Sequence, residues 1–130
     1  MVLPDTSIWV GYFRDTPRDA ADHLASLIDA GEVAVCGPVL AELMAGAGRE
    51  QREDLLETLL GLPWADLDLE AWLSIGETAG KLRRSGTPLP FTDLAIAAAA
   101  HRGGYALWSL DSDFERIRTA LEGLELYAYS

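Results

Sequence analysis

Short apolar runs alternate along the chain with longer amphipathic ones, the pattern of an α/β domain with parallel strands. The short runs predict strands over Val2–Pro4, Val33–Cys36, Ala65–Leu69, Ala106–Leu110 and Leu124–Tyr129. Each is apolar and partly β-branched or aromatic, as strands buried on both faces tend to be. Pro4 weakens the first, because it cannot donate a ladder hydrogen bond. Helical spacing fills the intervals. Thr6 to about Arg14 follows the first strand, and Ala20, Leu24, Leu27 and Ile28 mark a helix over about 19–30 that Gly31 stops. Pro38 opens the next, since proline in a first turn loses no needed N–H. Leu55, Leu56, Leu59 and Leu60 mark a helix over about 49–60, and Trp72, Ile75, Ala79 and Leu82 form the stripe of one over about 70–84. Pro88 and Pro90 break the chain before a helix from Thr92 to about His101, closed by Gly103-Gly104, and a last short helix covers Phe114 to Leu121.

No linker, repeat or low-complexity stretch interrupts this pattern, so residues 1–130 read as one domain, long enough to bury a core without staples. No apolar run approaches the ~20 residues that span a bilayer. The start, Met1-Val2-Leu3-Pro4-Asp5, lacks the basic and apolar regions of a signal peptide. The single cysteine, Cys36, forms no internal disulfide, which fits a reducing cytoplasm. Charge complicates the picture: 10 Lys+Arg against 21 Asp+Glu leave −11, the opposite of the basic surface that nucleic-acid binders usually carry.

Most acids need no special account. Glu50, Glu53, Asp54 and Glu57 lie among polar residues on an amphipathic helix and read as solvated. Others stand at less ordinary positions. Asp5 ends the first strand and opens a helix, where it serves equally as an N-cap or as a site residue. Glu42 lies one turn into a mostly apolar helix, where burial is costly unless the acid is paired or metal-bound. Thr92 is the expected N-cap of its helix, which puts Asp93 in the first turn where the dipole favours an anion. Asp111 and Asp113, spaced i, i+2 beyond the fourth strand, make either a turn and a cap or two carboxylates aimed at one ion. Asp5 and Asp111 both follow carboxyl ends of parallel strands, where open α/β sheets place their sites. Two carboxylates ~4 Å apart repel by about 4 kcal/mol at an effective dielectric of 20, so four together require raised pKa values or a cation. Carboxylate oxygens suit Mg2+ or Mn2+, whereas His23, His101 and Cys36 make no spaced ligand set for zinc.

Four segments carry these acids in order: Leu3-Pro4-Asp5-Thr6-Ser7-Ile8-Trp9, Pro38-Val39-Leu40-Ala41-Glu42-Leu43, Phe91-Thr92-Asp93-Leu94-Ala95-Ile96-Ala97-Ala98 and Ser109-Leu110-Asp111-Ser112-Asp113-Phe114. Over essentially the whole chain they resemble a PIN-domain ribonuclease, and within that family the VapC toxins of bacterial toxin–antitoxin pairs. The resemblance implies a three-layer α/β/α domain with a central parallel five-stranded sheet in order 3-2-1-4-5. It implies that Asp5, Glu42, Asp93 and Asp111 form the acidic quartet, that Asp113 is an accessory acid, and that Thr6 or Ser7 hydrogen-bonds into the acidic shell. Mg2+ or Mn2+ on Asp5, Asp93, Asp111 and Asp113 would then assist hydrolysis of an RNA phosphodiester, with Glu42 positioning or deprotonating the attacking water. It implies further a homodimer and a basic antitoxin whose Arg-containing tail reaches the acids, a partner that an acidic toxin suits. Pro4 and Leu110 depart from the family's usual residues without removing a ligand.

Phosphate attraction must come from few side chains. Lys81, Arg83 and Arg84 close a helix just before the 85–90 loop, where they either compensate the helix dipole or form a basic lip. Trp9, Tyr12 and Phe13 read first as core and otherwise as an apolar interaction surface. A phosphatase of the haloacid-dehalogenase type would want a second acid where Ser7 stands. Two further readings stay open at this point: a PIN nuclease outside any toxin–antitoxin pair, and a non-catalytic binding module on the same fold.

Overall fold

The structure is a computed structural model and describes residues 1–129. Two helices separate each strand from the next: β1 (Val2–Pro4), α1 (Thr6–Arg14), α2 (Arg18–Asp29), β2 (Val35–Cys36), α3 (Gly37–Gly46), α4 (Arg49–Leu59), β3 (Trp64–Ala65), α5 (Leu69–Arg84), α6 (Phe91–Gly103), β4 (Ala106–Trp108) and, after it, α7 (Asp113–Ala120). β1 pairs in parallel with β4, Val2 opposite Ala106 and Pro4 opposite Trp108, and β2 pairs in parallel with β3. A single parallel bridge, Val2 with Val33, joins the two ladders. Pro4 accounts for its brevity. The Asp5 N–H points to β4 and bonds the Trp108 carbonyl at 2.8 Å, so an N–H at position 4 would have faced the other neighbour, and proline has none. β1 thus has partners on both sides, reached by connections that run in opposite directions. Such a reversal opens a crevice at the carboxyl ends of the strands.

Four predicted strands come out shorter, the fourth ending at Trp108 and not at Leu110. The third is Trp64–Ala65 and not Ala65–Leu69, because Asp68 already caps α5 by accepting from the Ala71 N–H at 2.8 Å. The segment 124–129 contributes one bridge, Leu126 with Leu107, and its tyrosines turn instead to an aromatic cluster. There His23 stacks on Tyr129, and its Nε2 lies 2.6 Å from the Tyr127 hydroxyl. The expected start of the second strand also shifts, to Val35.

Trp9, Leu24 and Ile117 are fully buried at the centre, so Trp9 is core, while Tyr12 and Phe13 pack partly buried against it. α6 is apolar all round from Leu94 to Ala100, and every residue of that stretch is buried, as such a helix must be. Its alanines admit close neighbours, and α6 packs against α3, α5, α7 and β4. On α5 the buried face is Ala71, Ile75 and Ala79, while Trp72, predicted to belong to it, is 46% exposed. No helix among the described residues is long and apolar enough to cross a membrane.

Candidate active site

Asp5 leaves β1 and caps α1, and it is the one buried charged residue among those described, at 5% exposure. Its Oδ1 accepts from the Ile8 N–H at 3.2 Å and from the Ser7 hydroxyl at 2.6 Å. Its Oδ2 accepts a short hydrogen bond from the Ser109 hydroxyl. Ser109 lies just past β4, and its oxygen in turn accepts from the Asp111 N–H at 2.9 Å. Two loops that end neighbouring strands are therefore stitched together through one carboxylate. The helix cap and the candidate site residue are the same side chain.

Beyond Ser109 the chain turns so that Asp111 Oδ1 accepts from the Asp113 N–H at 2.9 Å, an Asx turn that starts α7. Asp93 approaches from α6. That helix starts at Phe91 with Pro90 at the N-cap, so Thr92 is not the cap, yet Asp93 remains in the first turn. Pro90, whose φ is set by its ring, ends the loop without a side-chain cap. Carboxylate oxygens of Asp93, Asp111 and Asp113 all lie within 4.8 Å of one another. Asp5 is outside this tightest group because its oxygens are turned to Ser7, Ser109 and Ile8.

Glu42 is exposed, so the cost of burying an unpaired acid does not arise. It faces solvent from α3 and accepts from the Thr6 hydroxyl at 2.5 Å. Thr6 and Ser7 thus each hold a different acid, Thr6 to Glu42 and Ser7 to Asp5.

Electrostatics bind the group together. Burial, then the charges of Asp111, Glu42, Asp5 and Asp113, push the Asp93 carboxyl up to about 6. Asp5 is also raised, by burial, against the lowering effect of its serine hydrogen bonds. Burial and the surrounding like charges both disfavour the ionised acid, and a cation among these carboxylates would relieve the repulsion. A donor set of carboxylate oxygens with no imidazole or thiolate fits a hard divalent ion such as Mg2+ or Mn2+.

Arg116, on α7, contributes the nearest positive charge, with Nη1 3.5 Å from Asp113 Oδ1. Nothing in the local sequence singles it out, and Ser109 stands out there only as part of a motif. Lys81, Arg83 and Arg84 are exposed in the last turn of α5, and the ion pairs of arginines among the described residues involve Arg18, Arg102, Arg116 and Arg118 instead.

The model of the PIN domain family matches residues 2–120. The chain belongs to the PIN-domain family. Within it, ribonuclease VapC11 of Mycobacterium tuberculosis is 36% identical over 124 residues, which cover 90% of this chain and 91% of that one. Among solved structures, VapBC2 from Rickettsia felis, bound to a DNA fragment from its promoter, superposes with a TM-score of 0.77 at 25% identity over 100% of both chains. VapBC from Salmonella typhimurium, also DNA-bound, gives a TM-score of 0.77 at 23% identity over 98% of both chains, a likeness of fold.

Proposed function

We propose that this chain is the toxin of a type II toxin–antitoxin pair, an endoribonuclease that hydrolyses RNA phosphodiester bonds with Mg2+ or Mn2+. The observation that carries the reading is the meeting of Asp93, on α6, with Asp111 and Asp113, at the start of α7, within 4.8 Å. Asp5, Asp93, Asp111 and Asp113 are the residues to hold the cation, which when bound supplies phosphoryl polarisation and a water of lowered pKa. Ser7 and Ser109 fix the Asp5 carboxylate before any ion arrives, so little ordering remains. Glu42, steadied by Thr6, takes the proton of the attacking water. Lys81, Arg83 and Arg84 offer cations to the RNA backbone away from the reacting phosphate.

The partner is a small basic antitoxin. A cleft lined by Val10, Phe13, Leu43 and Leu55 also carries Glu42 and Asp54 beside Arg14, two acids to one base, so an apolar segment with a basic residue would match it. A second copy of the chain would cover Leu69, Trp72, Leu73 and Phe91, four large apolar residues left exposed on α5 and the start of α6. The whole chain acts as one domain in the cytoplasm. Induced expression tests the reading: growth arrests with the wild type, continues with Asp111→Asn, and is restored by a co-transcribed basic partner. Arrest by Asp111→Asn at equal protein level contradicts it.

A further inference from the structure

We propose that Arg116 seats the RNA phosphate at the acid cluster, an inference that rests on the ribonuclease reading. Its guanidinium is held from two sides. Nη1 lies 3.5 Å from Asp113 Oδ1, and Nη2 donates to the Thr87 carbonyl at 3.3 Å. That carbonyl belongs to a firmly built turn. α5 ends with Gly86 in the left-handed region at φ 78°, its N–H bonding the Arg83 carbonyl at 3.1 Å while the Thr87 N–H bonds Leu82 at 2.9 Å. The pair of tethers aims a planar fork with five N–H donors at the edge of the cluster and leaves the side chain 48% exposed. The donors not used by Asp113 and Thr87 suit two oxygens of one phosphate.

A polyanion brought to an acidic pocket needs positive charge at the point of approach. Among the described residues, Arg116 is the one side-chain cation in ion-pair contact with any of Asp5, Glu42, Asp93, Asp111 and Asp113. The basic lip at Lys81, Arg83 and Arg84 makes no such contact and would follow the backbone elsewhere. Arg116 is a positioning residue: it touches the substrate phosphate and takes no proton.

Arg118 provides the control, since it sits on the same helix and pairs with Glu115 at 2.9 Å, away from the acids. Binding of a labelled single-stranded RNA of mixed sequence is followed by anisotropy in calcium, over a series of KCl concentrations. Each phosphate contact on a single strand contributes about 0.7 to the slope of log affinity against log salt. Arg116→Gln is expected to weaken binding several-fold and flatten the slope by about that amount, Arg116→Lys to recover the slope, and Arg118→Gln to leave it unchanged. An unchanged slope in Arg116→Gln, with or without a lower melting temperature, reduces Arg116 to a structural tie and overturns the proposal. Equal flattening by Arg118→Gln reduces it to bulk charge and also overturns it. No RNA binding by the wild type would instead remove the ribonuclease reading itself.

Discussion

Asp5 caps a helix and, on the proposed function, serves folding and chemistry together. As an N-cap it accepts the Ile8 N–H, and as a buried acid it receives two serine hydroxyls. Asparagine caps a helix about as well as aspartate, while alanine loses about 0.5–2 kcal/mol. Asp5→Asn should therefore melt near the wild type and cleave no RNA, whereas Asp5→Ala should lose both stability and cleavage. Cleavage by Asp5→Asn at the wild-type rate would leave Asp5 a cap alone. Asp93 behaves differently, because its carboxyl is raised to about 6 by burial and by the acids around it. The folded state then binds more protons than the unfolded chain between pH 4 and 6, so its stability falls as pH rises through that window. Without divalent ions, Asp93→Asn should remove this fall and melt higher than the wild type above pH 6. A variant that melts lower at every pH would show Asp93 to be a stabilising first-turn residue.

At the scale of elements, close approach decides what the helices tolerate. α6 is held on all sides, with Ala97 and Ala100 fully buried. Ala97→Leu should cost about 1–3 kcal/mol by overpacking and shift Asp93 with the helix, read as a lower melting temperature and weaker Mn2+ binding. Unchanged melting would mean the neighbours of α6 are loosely packed. α6 was legible because an unbroken run of alanines ended by two glycines has few alternatives to a buried helix. The strands were less so. Whether Leu67 extends β3 depends on Asp68, which is free to cap only once α5 has formed. Leu124–Tyr129 has the composition of a strand, but His23, over 100 positions away, claims Tyr127. The four acids were legible through their places after strands and in first turns. Arg116 was not, since its contact with Thr87 spans 29 positions and follows no local rule.

For the whole molecule, a charge of −11 suits a basic protein partner better than RNA, and the two are met in different ways. Long-range attraction should speed encounter with the antitoxin, so its association rate should fall steeply with added salt while dissociation changes little. A rate indifferent to salt in stopped-flow mixing would assign the acidity to solubility alone. On the proposed function, RNA, repelled at long range, would be captured at short range by a cation among the carboxylates and by Arg116 at their edge. The central claim is that Asp93, Asp111 and Asp113, with Asp5 behind them, hold one divalent ion that cleavage requires. Its most direct measurement is cleavage of a labelled RNA by the purified chain with Mn2+, after chelation, and after Mn2+ is restored. Cleavage should appear, vanish and return. Cleavage that persists undiminished in chelator would contradict the account.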